Sequence, residues 1–307
     1  MPKVIPWRSI ALGGGLVTAA LCLVPRTPAS PGSLAYQKRR ASGVPVHLVT
    51  VNLNDPNVKV SVALARGQVG RMESFRGILR RARPAAAITG SFFSPRTGWP
   101  TGDIVVDGQW LAMGRIGTAV AITPENEVRF IRMRRGQPRR WREYDTVLGG
   151  GPRLLTSGRI TLAPRAEGFR DRTLYARRPR TAVGVTRNGK LLLVTVRRAI
   201  YLRRLARIMR ALGARDAVAM DGGGSTAMFY RGRLVSRPTR RLANLLVAYD
   251  NSSAYARALP RLASGVHLAR RPSPPPAEVL EETGGVDPVN ARELILPDDE
   301  GLEAGEN

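Results

Sequence analysis

The chain is almost without cysteine: its 307 residues include one, Cys22, inside an apolar segment near the N-terminus. That excludes a disulfide framework, a thiol nucleophile and a cysteine-based metal centre from the rest of the chain. Histidine is nearly as scarce. His47 and His267 are far apart and outside any catalytic pattern, so nothing supports a Ser-His-Asp triad. Aromatic residues make up 6% of the chain, and no aromatic RNA-binding motif, zinc-finger spacing or leucine zipper occurs. No apolar run reaches the roughly 20 residues of a membrane-spanning helix. Lysine is confined to positions 3, 38, 59 and 190. Whatever chemistry the chain performs rests on carboxylates, hydroxyls, arginine and backbone.

What the chain has in excess is arginine. Its formal charge is +26 and its pI near 11.6. Nucleic acid is the first partner such a charge suggests, but charge alone gives only non-specific affinity. The expected partners are instead anionic: an envelope polymer or a membrane surface, with no specific nucleic acid. The hydrophobic fraction of 43% is ordinary, and the length supports a sizeable core.

Lys3 and Arg8 precede an apolar run over 10–24, and a small-x-small site, Ser33-Leu34-Ala35, lies before Tyr36. This is the pattern of a secretory leader, or of an uncleaved anchor, over 1–35. An exported domain is expected, periplasmic, extracellular or membrane-anchored. Residues 36–250 then read as one α+β domain, with a mixed or antiparallel sheet of many short strands and a few packed helices. Strands are predicted on both sides of the turn at 54–57. Asp107-Gly108 and Asn188-Gly189 are hairpin signals. Helices are predicted over 72–82 and 202–212, the second stopped by Gly213. The extension 251–307 is Pro-rich and then acidic: from 273 onward it has ten Asp/Glu against one Arg, a disorder-type composition.

One stretch stands apart, A-V-A-M-D-G-G-G-S-T-A-M over 217–228. An apolar strand stops at Asp221, and Gly222, Gly223, Gly224, Ser225 and Thr226 follow. Three consecutive glycines are tolerated where φ is positive or where something approaches the backbone closely. The composition suits an anionic, hydroxylated ligand, or alternatively a plain Asp-Gly turn between strands.

This stretch is one of several pieces that together resemble the phosphodiester glycosidase family. The others are A-A-A-I-T-G-S-F-F (85–93), P-T-G-D-I-V-V-D-G (100–108), G-G-G-P-R-L (149–154), R-P-R-T-A-V-G-V (178–185) and N-L-L-V (244–247), in the family's order. The resemblance implies hydrolysis of the bond between a sugar's anomeric carbon and a phosphodiester oxygen, here in an envelope or extracellular polysaccharide. A fold kept for carbohydrate or anionic-polymer binding without catalysis is the alternative. Asp221 is the first catalytic candidate and Asp103 a weaker second, since most glycosidases use two carboxyls; Asp103 reads more readily as a solvated turn residue. Arg180 and Thr181 are candidates for the phosphodiester, because a planar guanidinium binds its oxygens in pairs. Arg180 is also one arginine among many. Gly222, Gly223, Gly224, Ser225 and Thr226 would donate to phosphate or sugar, or merely satisfy their turn. Asn244 would orient a neighbour or begin a strand. Thr89 stands where the family usually has Asn before Gly-x-Phe-Phe, and that departure bears on specificity. No cofactor is indicated, though a divalent cation between Asp221 and phosphate is compatible with the residues.

Overall fold

Paired side chains on successive strand positions, both apolar, dictate sheets covered on both faces. The computed structural model describes residues 32–134 and 139–264, all within the compact unit Met1–Arg271. The acidic tail from 273 lies outside the described residues, as does the leader up to residue 31. From the N-terminus come β1 (Leu34–Ala41), β2 (Val44–Asn52), β3 (Lys59–Leu64), α1 (Phe75–Ala82) and β4 (Ala86–Thr89). Short strands follow: β5 (Ile104–Val106), β6 (Gln109–Ala112), β7 (Thr118–Ile122), β8 (Val128–Arg132), β9 (Thr146–Gly149), β10 (Arg153–Thr156) and β11 (Arg159–Ile160). A one-turn helix, α2 (Arg172–Tyr175), leads into β12 (Arg178–Thr186) and β13 (Lys190–Ile200). The described residues continue with α3 (Leu202–Ala211), β14 (Ala214–Met220), β15 (Met228–Tyr230), β16 (Arg233–Ser236), β17 (Asn244–Tyr249) and α4 (Ser252–Leu262).

The strands form a seven-stranded sheet, β1-β2-β13-β12-β14-β10-β11, and two five-stranded sheets, β16-β15-β4-β17-β3 and β6-β5-β9-β7-β8. Neighbours pair antiparallel throughout the described residues. In the seven-stranded sheet Val183, Leu193 and Val218 face a main core shared with both smaller sheets. Their sequence neighbours Ala182, Leu192 and Ala217 face a second core closed by α3. A strand buried on both faces reads as an unbroken apolar run, which is why 217–220 does not alternate. Leu202, Leu205, Ile208 and Met209 form the buried stripe of α3, and Gly213, at φ +85, ends it. Ser74 caps α1 by accepting from the Gly77 N–H, so that helix starts later than the apolar spacing from 72 suggests. Asp107 and Gly108 both have positive φ, as a two-residue hairpin requires.

Strands flank the turn at 54–57 as expected, and β2 and β3 enter different sheets, because each has apolar residues that only stacked sheets bury. Two features differ from the sequence reading. β1 begins at Leu34, which is buried opposite Val51, so the fold reaches into the segment read as leader. At the other end the fold continues past residue 250. Asn251 caps α4 by accepting from the Ala254 N–H, and Ala258 and Leu262 insert into the main core. Pro260 in its last turn hid this helix from the sequence reading.

The second glycine run carries the chain from β9 into β10, between two sheets. A Cβ on Gly149 would lie 2.4 Å from the Gly102 Cα, and one on Gly151 would lie 2.9 Å from the Ala219 carbonyl oxygen. The Gly151 N–H donates to that same carbonyl at 2.6 Å. Backbone against backbone leaves nothing that can yield. Gly149→Ala is therefore expected to destabilise the protein by about 1–3 kcal/mol, read from the urea midpoint; an unchanged midpoint would show that the backbones have room to part.

Candidate active site

The site is set by strand register. Thr181 of β12 faces Met220 of β14, and both point into the main core. The residue just after β14, Asp221, and the preceding residue of β12, Arg180, take the opposite face by the two-residue period. There they line one cavity of about 190 Å³, together with Phe92, Phe93, Phe169, Asp171, Arg178, Arg240 and the three glycines.

Asp221 is 5% exposed. Its Oδ1 accepts from the Gly222 N–H at 2.9 Å and its Oδ2 from Arg240 Nη2 at 2.7 Å. Burial pushes its carboxyl above the usual carboxylate value, while the Arg240 charge and the Ser225, Arg240 and Gly222 donors hold it back. Arg240 also donates through Nε to Ser225 Oγ at 2.5 Å, and its guanidinium lies 4.8 Å from the Phe93 ring centre. Two hydrogen bonds and a ring face thus fix one cation against one carboxylate.

Gly222 and Gly223 each have a structural reason. A Cβ on Gly222 would lie 2.8 Å from the Pro179 carbonyl oxygen, so β12 and the turn touch only without a side chain. Gly223 has φ +58. The turn closes through Ser225 N–H to Gly222 C=O and Thr226 N–H to Gly223 C=O, which uses neither the Gly223 nor the Gly224 N–H.

Arg180 is 4% exposed, and its partners are three carbonyls, those of Leu174, Ala176 and Ile200. No carboxylate pairs with it among the described residues. Burial, and then the neighbouring Arg178, lower its pKa to about 10. A buried cation surrounded by dipoles alone is a site that an anion would complete.

The remaining candidates fall elsewhere. Asp103 does not line the cavity. It is fully buried, with Gly114 N–H on Oδ1 at 2.7 Å, Trp141 Nε1 on Oδ2 at 2.7 Å and Arg139 Nη1 on both oxygens. Burial raises its pKa against those donors. The alternative of a solvated turn fails as well, since this carboxylate anchors the third sheet. Thr89 likewise faces inward: its hydroxyl donates to the Ser225 carbonyl and accepts from the Ala227 N–H at 2.9 Å. Asn244 braces the segment before Phe92, its Oδ1 accepting from Ser91 N–H at 2.8 Å and its Nδ2 donating to Ser91 Oγ at 2.9 Å. Ser225 acts through Arg240. Thr181 and Thr226 are buried with hydroxyls that make no hydrogen bond among the described residues. Among the described residues no group of three or more His, Cys, Asp or Glu could hold a metal, and no helix is long and apolar enough to cross a membrane.

Sequence reasoning missed Arg240, Arg178, Asp171, Phe169 and the aromatic pair Phe92 and Phe93 as cavity residues. The aromatic pair carried a signal, two adjacent rings in an aromatic-poor chain. Arg240 carried none, because one arginine among many in an irregular segment has no distinguishing pattern.

The fold is shared with known structures. The catalytic domain of zebrafish N-acetylglucosamine-1-phosphodiester alpha-N-acetylglucosaminidase superposes with a TM-score of 0.60 at 20% identity, over 73% of this chain and 84% of that one. A hypothetical protein from Synechocystis gives a TM-score of 0.62 at 20% identity, over 70% of this chain; this chain spans 62% of that protein, less than two thirds of its length. No curated protein sequence matches. The sequence pattern of phosphodiester glycosidases matches residues 82–249, more than half of the chain, and the chain therefore belongs to the phosphodiester glycosidase family.

Proposed function

We propose that the protein is an exported hydrolase that cleaves the bond between a sugar's anomeric carbon and a phosphodiester oxygen in envelope or extracellular polysaccharide. One observation carries this reading: a buried Arg180, without a carboxylate partner among the described residues, shares a cavity with a buried, cation-held Asp221. The phosphodiester anion would supply the charge that Arg180 lacks, with Arg178 at the rim. Gly223 and Gly224 N–H groups would bind its oxygens or a sugar hydroxyl. Cleavage develops positive charge at the anomeric carbon and negative charge on the departing phosphate oxygen. Ionised Asp221 would stabilise the first and Arg180 the second. Water adds to the anomeric carbon, and the products are free sugar and a phosphate monoester.

Phosphate leaves readily, so the loss of Asp103 from the list of catalytic candidates does not remove an indispensable acid. Asp171, which caps α2 by accepting from the Thr173 N–H at 2.8 Å, is the other carboxylate on the cavity wall. A divalent cation at Asp221 would need its remaining ligands from the substrate. The substrate class is supported by family membership and by the zebrafish enzyme's name, and export by the leader pattern at 1–35. The polymer or an anionic membrane surface, rather than a specific nucleic acid, is the partner we assign to the basic charge.

Turnover of an N-acetylglucosamine-1-phosphodiester, followed as free sugar, tests the reading. Asp221→Asn is expected to lower kcat by roughly 10²–10⁴, and wild-type rates in that variant would remove Asp221 from the mechanism. Saturable binding with no sugar release by wild type would instead identify a binding protein on this fold.

Asp103→Asn is expected to lower the thermal midpoint while the folded fraction keeps its kcat. A loss of kcat equal to that of Asp221→Asn would return Asp103 to the reacting centre.

The pH profile supplies a further check. Activity carried by ionised Asp221 should rise from the acid side with an inflection above 3.8, the ordinary Asp value, because burial raises this carboxyl. The Arg240 charge opposes that rise, so Arg240→Gln should move the inflection to higher pH. An inflection unmoved by Arg240→Gln would mean that another group governs the limb.

A further inference from the structure

A second cationic cluster lies at the same end of the seven-stranded sheet as the cavity. One row of residues crosses that sheet in register: Lys38, His47, Thr195, Thr181 and Met220. Residues in such a row share a face. Tyr36, two positions before Lys38, bonds His47 Nδ1 through its hydroxyl at 2.9 Å, with the rings stacked 6.1 Å apart. Tyr230 packs on Tyr36 at 5.8 Å, and the Arg233 guanidinium covers the Tyr36 ring at 5.7 Å. Arg197 follows Thr195 by two residues. Lys38, Arg197 and Arg233 are exposed, and none has an ion pair among the described residues. Nearby Arg231 differs, since Asp250 neutralises it at 2.8 Å. The charges that act on His47 are all positive; with burial they keep its pKa below the ordinary histidine value.

The cluster is tied to the active site by two strands. Val196, between Thr195 and Arg197, faces Arg180 across β12 and β13. β16 begins at Arg233, and the segment after it brings Arg240 to Asp221. The row that carries Lys38 and His47 shares the face of Thr181 and Met220, so cluster and cavity lie on opposite faces at the same end of the sheet, joined around that end by the segment from Arg233 to Arg240.

We propose that Lys38, Arg197 and Arg233, arrayed around Tyr36 and His47, form an accessory site for a second phosphate of the substrate, which makes the substrate a chain bearing repeated phosphates. This rests on the function proposed above and names its substrate class. Three cations gathered without a carboxylate repel one another, and an anion relieves that repulsion. The guanidinium forks of Arg197 and Arg233 suit phosphate oxygens. An isolated sugar-1-phosphodiester would fill the cavity and leave this cluster empty.

The test separates the cluster from bulk charge. Labelled inorganic polyphosphate is titrated into the full chain, into the Lys38→Ala/Arg197→Ala/Arg233→Ala variant, and into an Arg76→Ala/Arg80→Ala/Arg210→Ala variant that loses the same charge from exposed faces of α1 and α3. We expect the first variant to bind about tenfold more weakly and the second to stay within about twofold of wild type. Turnover of the small phosphodiester should be equal in all three. Equal weakening of polyphosphate binding in both variants would overturn the proposal and reduce the cluster to general charge. The binding comparison needs no turnover, so it decides the accessory site even where no sugar-1-phosphodiester is hydrolysed, an outcome that would count against the proposed function alone.

Discussion

The antiparallel pairing of β12 with β14, in register at Thr181 and Met220, is what the candidate site depends on. Both strands lie inside the seven-stranded sheet with a core on each face. A one-residue slip would exchange the faces of every side chain, and the mixture of alanine on one side with valine on the other forbids it. The same register turns Arg180 and Asp221 together out of the main core. The glycine at 222 lets the turn after β14 pass within contact of Pro179, so the two charges are delivered by backbone geometry rather than by long side chains reaching for each other.

Electrostatics divides the two charges by their partners. Asp221 has a cation assigned to it, Arg240, which is itself fixed by Ser225 and by the Phe93 ring. Among the described residues Arg180 has only carbonyl dipoles. A buried ion pair is weak evidence for stability, but removal of one partner is strongly unfavourable. The cavity therefore holds its carboxylate in a defined state while its buried guanidinium lacks a counter-ion. That asymmetry suits a ligand that is anionic at one end and becomes cationic at the other during reaction. A neutral sugar site would need neither feature.

Much of this was legible in the sequence, and the reasons are local. The Asp-Gly-Gly-Gly turn, the Asp107-Gly108 hairpin and the stripe of α3 depend on backbone conformation and short-range period, which residues announce by type. Arg180 was legible as a candidate but not as a buried one, because burial is decided by Leu174, Ala176 and Ile200, which come from two other elements. Asp103 misled for the same reason. Its neighbours Pro100, Thr101 and Gly102 have the composition of an exposed turn, yet its partners Arg139 and Trp141 come from more than thirty residues downstream. Arg240 was invisible, since nothing near it in sequence shows what it will meet in space.

Thr89 illustrates how a departure from a family pattern is weighed by contacts. Its hydroxyl bridges the Ser225 carbonyl and the Ala227 N–H, so one side chain clamps both ends of the segment that follows the three glycines. An asparagine amide also offers one donor group and one acceptor, and either residue can complete such a bridge in principle. The threonine is the shorter of the two and is almost fully buried. In this chain position 89 therefore contributes by holding Ser225, and through Ser225 the Nε of Arg240, and through Arg240 the carboxylate of Asp221. Its influence on the reaction would pass along that chain of hydrogen bonds and would show first in the ionisation of Asp221, not in the affinity for sugar.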